Sequence, residues 1–393
     1  MKVNFFSLLS SPEFECLNFH DINSLSHEEK QTISQHLHKP LSLFLQSIGY
    51  KHHSQPPDPS LRHDLQAFVH THPTPLFPTQ EALLQRLTHW AAECAEYTYA
   101  ACGPDTKLTM AIITIIFLVT DDSTILPPED RTTLSYFSFN HYQNLPPSSR
   151  WSTVLSHGPN LCTAYFGSRD PLLGAMAGNS YTAFVDGCAR ELRMENHTTA
   201  HILNHGEAHP GTEVCAVEAY PSYLRFVTGT TVLFLLPIFK TSRDQEMPSA
   251  VWIPLVPAIS RCINHLNDLL SSPKEVLAGE SWNYLSLRTK VMRQAGRLSL
   301  FGTGLWTFRD RFYEVLEEGV RTVGAVDRAF AQCISVGKDG SMDEVDGGDG
   351  GGKSQGCDEV RLAGELWTAF KHGHIAWHLN CQRYGLESLS CEG

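Results

Sequence analysis

Gln80-Glu-Ala-Leu-Leu-Gln-Arg-Leu-Thr-His-Trp-Ala-Ala-Glu-Cys94 sets Leu83, Leu84, Leu87, Trp90, Ala91 and Cys94 three or four residues apart or side by side. Side chains at i, i+3 and i+4 share one face of a helix, whereas a strand alternates every second residue, so this stretch reads as an amphipathic helix. The same rhythm recurs along the chain, and hairpin dipeptides between alternating segments hardly occur. Helices are predicted over roughly 27–48, 58–70, 78–100, 106–122, 172–195, 213–240, 248–276, 280–297, 305–333 and 358–384. The expectation is an all-α protein whose 393 residues form a single domain.

Composition narrows the class. Hydrophobic residues make up 42% and charged residues 18%, which excludes a mostly disordered chain. Thirty Lys+Arg against 42 Asp+Glu give a net charge of −12, so a phosphate backbone is repelled and no nucleic-acid partner is expected. The opening Met1 to Leu9 is not a convincing signal peptide, because its apolar run stops at Ser10. The longest apolar runs, 108–119 and 231–239, are too short for a membrane span. The 11 cysteines are scattered without a CxxC pair and read as reduced thiols, consistent with a cytoplasmic protein.

Pro56-Pro57, Pro127-Pro128 and Pro146-Pro147 mark connections between helices. Residues 337–356 hold eight glycines among several acids and are expected to form a flexible loop. Within them Gly347-Gly-Asp-Gly-Gly-Gly-Lys-Ser354 fits the phosphate-cradling P-loop pattern, but that device needs a buried strand before it, and the preceding residues are acidic. His201, His205 and His209 fall at four-residue steps, yet Gly206 and Pro210 interrupt any helix there.

Two constellations carry chemistry. Leu108 to Thr124 reads as a buried helix ending in Asp121-Asp122, with Thr114, Phe117 and Leu118 in line with Asp121. Carboxylates at the end of an apolar helix either face solvent or meet a cation, and hard oxygen donors suit Mg²⁺. In Ile263 to Glu275, Asn267, Ser271 and Glu275 fall at i, i+4 and i+8, within about 80° of one another on a helix. An amide oxygen, a hydroxyl and a carboxylate make a second hard-oxygen set, and Lys274 shares its face.

Together these motifs resemble a class I terpenoid cyclase, and in detail the trichodiene synthase family of fungal sesquiterpene cyclases. Tyr220 to Gly229 is similar to the family segment bearing a diphosphate-sensing arginine, which would be Arg225. Trp377-His378 and Arg383-Tyr384 resemble its terminal elements. The likeness covers residues 80–385, leaving 1–75 poorly matched. It implies a helical bundle around an apolar cavity and a Mg²⁺-dependent lyase that ionises farnesyl diphosphate. Asp121, with Asp122 beside it, would hold two of three Mg²⁺ ions, and Asn267, Ser271 and Glu275 the third. Arg225, Lys274, Arg383 and Tyr384 would bind diphosphate, Trp377, Phe117 and Leu118 would line the pocket, and the protein would form a homodimer. Two departures stand out. Ile125 occupies the position where the family's Asp-rich motif has a further acid, and Pro273 predicts a kink just before Lys274 and Glu275. A chain-elongating isoprenyl transferase of the same fold and a non-catalytic helical scaffold are the alternative readings.

Overall fold

The computed structural model describes residues 3–52, 54–121, 125–196, 218–339 and 351–391. Among these the secondary structure is helical throughout, with isolated bridges at Lys240–Glu246 and Leu298–Leu305 and no strand. The helices are α1 (Phe5–Leu9), α2 (His27–Ser47), α3 (Pro59–Thr71), α4 (Glu81–Thr98), α5 (Pro104–Asp121), α6 (Pro128–Tyr142), α7 (Arg150–Leu155), α8 (His157–Phe166), α9 (Pro171–Asn196), α10 (Tyr220–Thr228), α11 (Thr231–Phe239), α12 (Ser249–Trp252), α13 (Val256–Ala278), α14 (Tyr284–Gln294), α15 (Phe308–Asp339) and α16 (Gly351–Asn380).

The quoted stretch forms α4, which buries Leu84, Leu87, Ala91, Cys94 and Ala95 against α5 and α16. At Gly373 of α16 a Cβ would lie 2.0 Å from the Tyr97 carbonyl oxygen, so glycine lets the two helices touch. From there α16 packs on α15, α15 on α13 and α13 on α2, while α9 closes the other side against α6, α8, α10 and α11. The N-terminal segment belongs to this bundle. Leu37, Leu41 and Phe44 are buried, Phe19 stacks on Phe308 with ring centroids 4.7 Å apart, and Arg309 donates to the Leu9 and Ser11 carbonyls.

Several boundaries differ from the sequence expectation. The single helix expected over 213–240 is two, α10 and α11, bent by 47°. Gly229 and Thr230, the latter in the left-handed region at φ 44°, form the break. No single helix among the described residues is long and apolar enough to cross a membrane. The bent pair approaches that composition because α11 is core, with Leu233, Leu235, Leu236 and Phe239 buried. The expected 337–356 loop is shorter in its described part, since α15 runs to Asp339 and α16 begins at Gly351. Residues 347–350 of the P-loop match lie outside the described residues, and the chain before them is the long helix α15, not a strand. The histidines at 201, 205 and 209 also lie outside them.

The expected disruption at Pro273 does not occur. Helix α13 continues through it to Ala278. The Leu269 carbonyl, which a proline amide cannot serve, instead accepts a hydrogen bond from Ser272 Oγ at 2.7 Å.

Candidate active site

A cavity of about 970 Å³ opens among α4, α5, α9, α10, α13 and α16. Every site residue expected from the sequence lines it, except Asp122, which lies outside the described residues: Asp121, Arg225, Asn267, Ser271, Lys274, Glu275, Arg383 and Tyr384, together with Phe117, Leu118 and Trp377. Each arrives by a simple local device. On α5 the i, i+3, i+4, i+7 spacing aligns Thr114, Phe117, Leu118 and Asp121 along the wall. On α13 the four-residue steps stack Asn267, Ser271 and Glu275, and the unbroken helix past Pro273 keeps Glu275 in register.

The polar end is already wired. Arg225 Nη2 donates to Asn267 Oδ1 at 2.7 Å, and its Nε lies 2.7 Å from Asp268 Oδ1. Asn267 Nδ2 meets His378 Nε2 at 3.3 Å, while His378 Nδ1 lies 2.8 Å from the His374 carbonyl oxygen. That carbonyl can only accept, so the His378 proton sits on Nδ1 and Nε2 accepts from Asn267. Ser271 Oγ donates to Glu275 Oε1 at 2.6 Å, and Lys274 Nζ pairs with Glu280 Oε1 at 3.0 Å. Arg383 lies over the Trp90 ring at 5.5 Å. Trp377 meets Tyr384 edge-on with centroids 5.4 Å apart.

Burial sets the protonation states. It pushes Glu275 up to about 7 against the opposing pull of Lys274, and Asp268 up to about 6 against Arg225. It lowers His378 to about 4 and raises the Tyr384 phenol, so the imidazole is neutral and the hydroxyl keeps its proton to donate. A buried carboxylate with a raised pKa, stacked above a hydroxyl and an amide oxygen, fits a divalent hard cation: the donor set is all oxygen, and a cation would relieve the cost of charging Glu275. Asn267, Ser271 and Glu275 would hold Mg²⁺ on this wall, with Asp121 across the cavity.

The sequence reading missed several lining residues. Cys188 and Glu191, one helical turn apart on α9, bring their ligand atoms within 4.8 Å of one another and of an Asp121 carboxylate oxygen. Arg131 from α6, Trp90 from α4, Phe184 from α9, Asn264 from α13 and His374 from α16 also line the cavity. Asn264 and His374 were legible in principle, each standing one turn before a motif residue. Ile125 is 1% exposed, packed into the core at the position where an acid was expected. Phe117 is both wall and core, with its centroid 4.1 Å from Phe184 and 5.1 Å from Tyr181.

Solved structures share this architecture. The chain superposes on linalool/nerolidol synthase from Streptomyces clavuligerus with a TM-score of 0.53 and 11% identity, covering 84% of this chain and 98% of that one. Against germacradien-4-ol synthase from Streptomyces citricolor the TM-score is 0.52 at 12% identity, over 83% and 96%. The fold is that of a class I terpenoid cyclase. Among curated relatives, terpene synthase BipA of Cochliobolus sativus is 29% identical over 119 residues, 30% of this chain and 32% of that protein, so the match spans about a third of that relative's length. Terpene synthase 29 of Postia placenta is 24% identical over 298 residues, 75% of this chain and 69% of that protein. No family model matches the chain.

Proposed function

We propose that this chain is a Mg²⁺-dependent sesquiterpene cyclase of the trichodiene synthase type, which ionises farnesyl diphosphate and releases a cyclised C15 product and diphosphate. One observation carries the reading: a single cavity has cations and hard oxygen donors at one end and aromatic rings at the other. Its size, about 970 Å³, lies at the upper end of small-ligand pockets, with room for a folded C15 chain and its diphosphate. The terpene synthase relatives and the shared cyclase fold support the same class.

When bound, Mg²⁺ supplies charge neutralisation for the departing diphosphate. Arg225 exchanges Asn267 and Asp268 for diphosphate oxygens, and Lys274 exchanges Glu280. Arg383 and the Tyr384 hydroxyl complete a cradle that strengthens as charge develops on the leaving group. No nucleophile or strong acid is needed, because the allylic C–O bond ionises once its electron pair is stabilised. Phe117 and Trp377 offer ring faces to the carbocation, and the closed walls keep bulk water from it. A cytoplasmic homodimer belongs to the same proposal.

The test is incubation of folded protein with Mg²⁺ and geranyl, farnesyl or geranylgeranyl diphosphate in turn, with diphosphate release and extracted products followed by gas chromatography and mass detection. Cyclic C15 product from farnesyl diphosphate is expected, lost in Asn267→Ala and Glu275→Ala while circular dichroism is retained. No diphosphate release from any of the three refutes the reading, and full activity in both variants refutes the ligand assignment.

A further inference from the structure

One turn below Asn267 the cavity wall carries polar atoms that a hydrocarbon chain does not use. His374 is 3% exposed and lines the cavity, and neither of its ring nitrogens has a hydrogen-bond partner among the described residues. Asn264 Oδ1 and Trp377 Nε1, on the same cavity, are likewise unpaired among them. Helices α13 and α16 lie side by side and run the same way. Asn267 meets His378 at one level, and toward both C-terminal ends Glu275 acts electrostatically on Tyr384 and Glu280 on Arg383. Asn264 precedes Asn267 by three residues and His374 precedes His378 by four, so the two sit at the same depth on neighbouring helices. Trp377 follows one turn after His374, with ring centroids 5.9 Å apart.

Unpaired buried donors and acceptors are costly, and proteins meet that cost by retaining ordered water wherever about two to four polar partners surround it. We propose that His374 and Asn264 hold one water against the substrate chain and that this water captures the final carbocation, making the product a terpene alcohol. The inference rests on the cyclase reading above. In the step, a lone pair of the water oxygen forms the C–O bond to the cationic carbon. One O–H bond of the resulting oxonium then breaks, and its proton passes to the unprotonated ring nitrogen of His374, leaving a neutral alcohol and an imidazolium that returns the proton to solvent after product departs. Burial, with His378 and Arg225 nearby, holds the His374 pKa well below its ordinary value, so before capture one ring nitrogen keeps its lone pair. The opposite wall, with Phe117, Leu118 and Phe184, offers such a water nothing, which confines capture to one side of the chain.

The experiment is turnover of farnesyl diphosphate with Mg²⁺ in H₂¹⁸O, with products separated and weighed by gas chromatography and mass detection. A single C15 alcohol shifted by the mass of one ¹⁸O is expected. His374→Phe and Asn264→Leu are each expected to lower the ratio of alcohol to hydrocarbon at least tenfold, a ratio that does not depend on total rate or on the yield of folded protein. Hydrocarbon alone from the wild type overturns the inference while leaving the cyclase reading standing. An alcohol ratio unchanged in both variants overturns it as well. Release of no diphosphate from folded wild type overturns both.

Discussion

Ser272→Ala isolates the device that carries α13 through Pro273. Ser272 is 1% exposed and Leu269 0%, and the hydroxyl donates to the Leu269 carbonyl at 2.7 Å. Removing it leaves a buried acceptor bare, a loss of about 1–3 kcal/mol. In a Pro273→Ala background the amide of residue 273 serves the same carbonyl. There Ser272→Ala changes little beyond helix propensity, within about 0.5 kcal/mol. The double-mutant cycle therefore predicts a coupling of roughly 1–2 kcal/mol between positions 272 and 273. Because unfolding entropy scales with chain length, 1 kcal/mol moves the melting temperature of a chain this long by only about 1 °C. Urea denaturation followed by tryptophan fluorescence is thus the better assay, with stability read from midpoints at constant slope. An equal cost of Ser272→Ala with Pro273 in place and in the Pro273→Ala background would refute the reasoning, since the hydroxyl would then not be replacing the missing amide bond.

Two further predictions follow from single contacts. A Cβ at Gly229 would lie 2.3 Å from Asn264 Oδ1 and 2.7 Å from the Arg225 carbonyl oxygen, so Gly229→Ala should displace the segment bearing Arg225 and slow diphosphate release from farnesyl diphosphate at least tenfold; activity within twofold of wild type would show that the break tolerates a methyl group. His265 is lowered to about 3 by burial, with Arg311 and Arg225 adding to the shift. A group whose folded pKa is depressed in this way favours the fold fully above its unfolded value near 6.5, and that contribution is lost as pH falls toward 3. Stability of His265→Asn should therefore decline less steeply than wild type below pH 6.5, by up to about 1.4 kcal/mol per pH unit in urea midpoints; parallel profiles would contradict it.

The helical class was legible because the apolar positions of α4, α5 and α13 keep one face each. Helix α6 was not, since its large side chains point both ways: Leu134 and Phe137 are buried, whereas Tyr136, Phe139 and Tyr142 are 59–62% exposed. A periodicity argument finds no face in such a segment. The break between α10 and α11 was hidden for a different reason. A continuous apolar run reads as one helix, and only the left-handed Thr230 after Gly229 separates the two. In the site, residues bound by local spacing were found, Asn267, Ser271 and Glu275 above all. Glu191, Cys188 and Arg131 were missed because their proximity to Asp121 or the cavity is made by packing between helices distant in sequence. The concern over Pro273 failed on a side chain, not on the backbone rule: a serine beside the proline restores what the ring removes.

The contacts of Arg225 with Asn267 and Asp268 bear on the end of a turnover as much as on its start. A cationic cradle that waits bare binds inorganic anions, and it holds its own by-product as tightly as it held the substrate. Here the guanidinium has an internal anion to return to, 2.7 Å away and locked on the same helix as the magnesium ligands. Diphosphate leaves in exchange for a protein carboxylate and not for a vacuum of charge. The cycle can then reset without exposing an unpaired arginine, and the affinity spent on Asp268 at the start is recovered as faster clearance at the end.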